Sequence, residues 1–259
     1  MSLHPSQVLD DLVASGRESG AAVAVVRDGV VEVDHCAGTR DGTDPWTSDT
    51  LVMTFSIAKP FAALALLDAV ADGELGLDQP VDSVWPAYGE AGKEGTTVRH
   101  LLSHQAGLPV FPEEALGVEY DDRETLVDLL ARTAPVHPPG AAVAEHALTY
   151  GHLLDEVLRR ATGEPLAERF ARIAEVAGWD LHLRVQGRDL SRVATLVEVA
   201  RPAPGGRATS TTRGGGRRWA DRRDCSIPRC STPTASAARR SPRWPCTRRR
   251  VPWPPSTTT

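Results

Sequence analysis

The chain has 259 residues, 41% of them hydrophobic and 24% charged, with a formal net charge of −5, enough for one large domain or two small ones. Its longest apolar run, Phe61 to Leu67, falls far short of the roughly 18 residues a membrane span requires. The net charge hides a break: residues 201–259 hold 14 Arg, no Lys and two acids, a net of +12, so residues 1–200 carry −17.

Val8, Leu9, Leu12 and Val13 recur at helical spacing and predict a helix from Pro5 to Arg17, punctuated by Gly16 and Gly20. Residues 21–26 and 30–34 predict two β-strands joined by the Asp28-Gly29 turn. Residues 49–54 lead into an apolar helix through Phe61, Leu64, Leu67 and Val70 that ends at Gly73. A short helix is predicted from Thr96 to His104, stopped by Gly107 and Pro109. Amphipathic helices follow at 123–132 and 149–162, separated by the Pro138-Pro139-Gly140 turn. A further strand over 180–185 and a short helix over 191–199 complete the series.

Beyond Ala200 the periodicity stops. The tail is built almost wholly of Arg, Pro, Ser, Thr, Gly and Ala, and has no Leu, Phe, Met or Tyr. Such a segment buries too little apolar surface to offset its ordering entropy, which predicts disorder. Two domains are therefore expected: 1–200, folded, and 201–259, a disordered basic tail. Shifting plausible codons of the tail by one nucleotide restores Phe, Asp, Val, Met and Tyr and a helical apolar spacing. The expectation is a reading frame lost near residues 205–207, with the natural C-terminal portion missing; sequencing the gene decides it.

The start of the chain lacks a basic region followed by an apolar one, so no signal peptide is expected. Cys36, Cys225, Cys230 and Cys246 show no disulfide framework and no zinc-ligand spacing. A cytoplasmic chain without a membrane partner is the expectation. The tail's arginines, with Trp219, Trp244 and Trp253, would bind nucleic acid only non-specifically, through counterion release. His100 and His104 are spaced for a shared metal, but no Glu completes a His-Glu-x-x-His pattern, so no metal and no cofactor are expected. Gly-x-Ser-x-Gly is absent around Ser56, and Glu113 to Glu124 reads as a solvated loop and helix start.

The sharpest local feature is Thr54-Phe-Ser56-Ile-Ala-Lys59, opening the apolar helix. A spacing of i and i+3 puts the Ser56 hydroxyl and the Lys59 amine on one face. A neutral amine takes a hydroxyl proton, and a helix N-terminus offers N–H groups where an oxyanion develops. Lysine usage strengthens the motif: the chain has 27 Arg and only two Lys, Lys59 and Lys93. Where Arg is so favoured, a retained Lys marks a need for an amine that can lose its proton. An exposed lysine on a helix end is the alternative. Pro60 is a complication, since proline costs up to about 3 kcal/mol in a helix interior, though less in the first turn.

Further segments stand in order around this motif: residues 23–29 (Val-Ala-Val-Val-Arg-Asp-Gly), 56–62 (Ser-Ile-Ala-Lys-Pro-Phe-Ala), 73–80 (Gly-Glu-Leu-Gly-Leu-Asp-Gln-Pro), 97–109 (Thr-Val-Arg-His-Leu-Leu-Ser-His-Gln-Ala-Gly-Leu-Pro), Pro138-Pro139-Gly140 and Leu148-Thr149-Tyr150-Gly151. Together they resemble the serine hydrolases related to class C β-lactamases, D-alanyl-D-alanine peptidases and family VIII esterases, over about residues 5–200. The resemblance implies an α/β (α+β), β-lactamase/transpeptidase-like fold, an antiparallel sheet flanked by helices, here incomplete in its C-terminal strands. It implies acyl transfer from a small ester or amide, with Ser56 as nucleophile and Lys59 as its proton partner. Oligomeric state and substrate stay open. Two departures bear on activity. A Tyr that shares the proton transfer usually follows the Pro-Gly turn by five residues; here that position is Glu145, in Glu145-His146-Ala147, and Tyr150 matches a later, structural Tyr. The family's third motif, Lys-Thr-Gly or His-x-Gly, which supplies a second oxyanion donor, has no counterpart in 201–259. Losing one such donor costs about 100- to 1000-fold in rate, so impaired activity is implied. The alternative is a non-catalytic remnant or binding protein retaining part of the fold.

Overall fold

The computed structural model describes residues 4–197 and the backbone of Arg243–Pro245. The expected frame loss, the tail cysteines and the rest of the basic tail lie outside these residues. The described chain forms two units, one made of residues 4–54, 185–197 and 243–245, the other of Phe55–Arg184.

In the first unit, helix α1 (Pro5–Ala14) starts on a proline, whose absent N–H belongs to the first turn and needs no helical partner, and stops at Ser15 before Gly16. Strands β1 (Gly20–Arg27) and β2 (Val30–Gly38) pair antiparallel from Gly20↔Gly38 to Arg27↔Val30. Asp28 (φ 49°) and Gly29 (φ 77°) both take the left-handed conformation, the type I′ geometry that matches strand twist and that Asp-Gly favours. The register slips between Val25 and Val26, leaving Glu32 as the extra residue of a bulge, where its carboxylate meets Arg27 at 2.8 Å. α1 packs on this hairpin, with Leu9 and Val33 buried.

β3 (Leu51–Met53) is buried at Leu51 and pairs antiparallel with β4 (Arg243–Pro245). Three residues of the expected structureless tail thus supply main-chain partners for the strand's N–H and C=O groups. On its other side Leu51 bridges Val193 in parallel, and the Ala194 N–H donates to the Leu51 carbonyl at 2.8 Å. Over its described part, 191–197, the expected helix is replaced by the end of a 3-10 segment, Gly187–Arg192, and chain that pairs with Leu51, because the strand edge offers ladder bonds that a short isolated helix cannot match.

The second unit is mainly helical: α2 (Ala58–Ala71), α3 (Val98–Leu102), α4 (Arg123–Arg132), α5 (Thr149–Thr162) and α6 (Leu166–Ala177). α3 carries a capping box: the Thr97 hydroxyl accepts from the His100 N–H, and the Thr97 N–H donates to His100 Nδ1 at 3.2 Å. Asp122 caps α4 by accepting from the Thr125 N–H. α5 buries Leu153, Leu154, Val157 and Leu158 and ends at Gly163 with φ 77°, a left-handed terminus that glycine takes without strain. α2 buries Ala62, Ala65, Leu66 and Ala69, small side chains that let α5 and α6 approach closely. α6 was not anticipated, and no strand forms over 180–185, where Leu181 instead turns into the helical core.

Two buried cations tie this unit together. Lys93, fully buried, donates to the carbonyls of Glu90, Ala131 and Thr133. Arg169 on α6, 2% exposed, bonds Asp68 at 2.8 Å together with Asp72 and Glu74, at the C-terminal end of α2. No helix among the described residues is long and apolar enough to cross a membrane.

Candidate active site

A 3-10 turn, Phe55–Ile57, feeds directly into α2. Phe55 has φ 49°, which a bulky side chain rarely adopts; such backbone costs about 1–3 kcal/mol and persists where surrounding structure imposes it. Ser56, the next residue, is exposed at the entry to the helix. Pro60 is the third residue of α2, so its missing N–H falls among first-turn groups that have no intrahelical partner, and the helix tolerates it. One turn on from Ser56, Lys59 returns its Nζ to 2.7 Å from Ser56 Oγ and donates to it. Both sequence-predicted site residues are therefore in contact.

A third group joins them. Glu145 Oε1 lies 3.4 Å from Lys59 Nζ, forming an ion pair across 86 residues of sequence. The Lys59 side chain is 15% exposed and that of Glu145 66%. The loop that carries Glu145 is fixed from both sides by one residue. The Ala144 N–H donates to the His104 carbonyl at 3.0 Å, and the His146 N–H donates to His104 Nδ1 at 3.1 Å. His104 itself sits at φ 61°, turning the chain after α3. Gly140 enters the loop at φ 80°, donating to the Gln105 carbonyl; a Cβ there would stand 2.9 Å from His100 Nε2.

Neither neighbouring histidine offers a free base. His104 accepts at Nδ1, so its proton sits on Nε2; burial, with Lys59's charge acting the same way and Glu145 opposing, pushes its pKa below the usual value. His146 is fully buried, donating from Nδ1 to the Ala144 carbonyl at 2.8 Å and accepting the Leu108 N–H at Nε2. Burial pushes its pKa down to about 4, against the Ala144 bond, with the charges of His104 and His137 adding a little. Tyr150 is turned away: its hydroxyl donates to the Leu102 carbonyl at 3.2 Å, its ring stands 4.6 Å from that of His104, and burial raises its pKa to about 12. His100 and His104 each spend Nδ1 on a backbone N–H, and among the described residues no three metal-ligating side chains converge.

His146 makes the fold acid-sensitive. An unfolded histidine titrates near 6.5, the folded one near 4, so between these the unfolded chain binds more protons and stability falls as pH drops. The loss approaches about 3 kcal/mol by pH 4. Urea unfolding of the wild type and of His146→Gln at pH 7 and pH 4.5 should show the smaller pH effect in the variant; equal pH effects refute the assignment.

Residues 6–227 match the family model described as Beta-lactamase. The chain is 34% identical to the esterase/beta-lactamase LipL of Mycobacterium tuberculosis over 186 residues, 70% of this chain and 43% of that protein. It is 32% identical to the esterase EstB of Burkholderia gladioli over 179 residues, 62% of this chain and 45% of that one. Among solved structures, a penicillin-binding protein homologue from Caulobacter crescentus superposes with a TM-score of 0.68 at 36% identity, covering 78% of this chain and 56% of the other. A family VIII carboxylesterase gives 0.64 at 31%, covering 76% and 57%. The chain thus spans less than half the length of the two esterases it matches.

Proposed function

The chain belongs to the beta-lactamase family, and from that premise we propose that it is a serine hydrolase of the esterase type, transferring the acyl group of a small ester or amide to Ser56. The observation that carries this reading is the 2.7 Å contact between Ser56 Oγ and Lys59 Nζ at the exposed entry to α2. Attack by Oγ on the substrate carbonyl forms the Oγ–C bond as the hydroxyl proton leaves toward Lys59. Collapse returns that proton to the leaving group, which departs as an alcohol or amine as its bond to the acyl carbon breaks, and water then releases the acid. The first N–H groups of a helix have no intrahelical partner, and those at the start of α2 are of the kind that stabilise a developing oxyanion. Esterase relatives, and the apolar, exposed Phe55 and Ile57 beside Ser56, favour an ester with an apolar acyl part.

The test is covalent. A fluorophosphonate probe should add to the peptide containing Ser56, as located by mass spectrometry, and the adduct should vanish in Ser56→Ala. The second reading, a non-catalytic remnant, draws on the carboxylate of Glu145 standing where the family resemblance places a phenol. It requires that no adduct form at Ser56, and that result removes the hydrolase reading.

A further inference from the structure

At rest Lys59 donates to Ser56 Oγ and stands 3.4 Å from a carboxylate; held there as an ion pair, it receives the Ser56 proton only by passing one on. Four titratable side chains lie on Glu145's loop, beside it or against His104. Tyr150 gives its hydroxyl to Leu102, His104 carries its proton on Nε2 and accepts a backbone N–H at Nδ1, and His146 accepts from Leu108 and donates to Ala144. Glu145 alone of the four keeps carboxylate lone pairs facing Lys59 Nζ. The two side chains also differ in contact with water: that of Glu145 is 66% exposed and that of Lys59 15%.

We propose that Glu145 is the proton acceptor behind Lys59, acting on Ser56 through the amine and coupling it to solvent. The inference rests on the acyl-transfer reading given above. As Oγ forms its bond to the acyl carbon, the Ser56 O–H proton moves to Nζ and one ammonium proton moves from Nζ to Glu145 Oε1. Lys59 is an ammonium before and after, and Glu145 becomes a neutral acid as the oxyanion appears. One negative charge is relocated and none is added, so the carboxylate does not repel the developing oxyanion. On collapse the proton returns by the same route to the leaving oxygen as its bond to carbon breaks. The backbone bonds on either side of Glu145, both to His104, hold it in register for this transfer.

The acylation rate of Ser56, read as fluorophosphonate modification or as the nitrophenolate burst of an activated ester, separates this role from a structural one when followed against pH. With the wild type, the rate should be level across neutral pH. Glu145→Gln should lower it about 100-fold at pH 7 and make it climb tenfold per pH unit toward alkaline conditions, because only a neutral Lys59 then serves. Glu145→Asp should keep the wild-type profile shape at a reduced rate. Glu145 is well exposed, and an unchanged thermal transition in Glu145→Gln shows that the fold is intact. A Gln variant as fast as or faster than wild type overturns the relay, as does a slower one whose profile keeps its shape. If Ser56 in the wild type takes no label, the acyl-transfer reading fails and the relay with it; a labelled wild type with an indifferent Gln variant removes the relay alone.

Discussion

Exchanging Lys59 for arginine is expected to slow the acylation of Ser56 by about 10³-fold, the difference in readiness to release a proton between an ammonium and a guanidinium. Arginine keeps the positive charge, and a guanidinium N–H can donate to Ser56 Oγ as Nζ does at 2.7 Å. What it lacks is an N–H proton that it releases readily at ordinary pH, so a proton arriving from Oγ has no onward path. Charge stabilisation without proton transfer would leave the rate within tenfold of wild type, and that outcome sinks the assigned role. The second-order rate constant for fluorophosphonate modification at pH 7 measures the effect, with thermal unfolding as the control for folding. The comparison is more informative than Lys59→Ala, which opens space for water to act as a proton relay.

The two lysines in a chain with 27 arginines stand in different surroundings. Lys59 lies against Ser56 Oγ, as the i, i+3 spacing implied. Lys93 is fully buried and feeds three main-chain carbonyls from a single compact ammonium, a geometry that a planar guanidinium does not reproduce. Rarity marked both positions but did not separate reaction from packing. Short-range chemistry was legible: Asp28-Gly29 set the hairpin, and the i, i+3 spacing brought Ser56 and Lys59 together, whereas Glu145 stood out only as a departure from the family resemblance. The clamp that aims Glu145 was not legible, because His104 and His146 meet through bonds spanning 42 residues, and nothing in either segment announces the other. α6 escaped for a related reason. Its buried face, Leu166, Arg169, Phe170 and Ala174, carries a charge near its centre, and that charge makes sense only beside the carboxylates of α2. The helix expected over 191–199 failed in the opposite direction, since its periodicity competed with an open edge at Leu51.

Arg169→Met is expected to destabilise the fold by about 2 kcal/mol, below the roughly 3–5 kcal/mol for removing one partner of a wholly buried ion pair. For a domain of this size that corresponds to a fall in melting temperature of roughly 6 °C. The reason lies in α2, whose last turns carry Asp68 and Asp72, with Glu74 just beyond and no basic residue in the last turn to balance them. Negative charge at a helix C-terminus opposes the macrodipole, and the carboxylates repel one another. Arg169 reaches across from α6 with its guanidinium 3% exposed, bonding Asp68, Asp72 and Glu74, and Glu164 stands 3.7 Å from it. Methionine fills the volume, so the loss reports on the charge and not on a cavity. The carboxylates remain partly exposed and regain some hydration, which keeps the figure below that for a wholly buried network. A second substitution makes the argument sharper, because it reverses sign. Asp72→Asn alone removes a bond to Arg169 and should destabilise, whereas in the Arg169→Met background it relieves uncompensated repulsion and should stabilise. Denaturant unfolding of the four proteins in the cycle measures both effects. If Asp72→Asn acts in the same direction in both backgrounds, the clamp is packing and not electrostatics. α2 also carries Lys59 in its first turn, so Arg169 anchors the far end of the helix on which the partner of Ser56 Oγ is mounted.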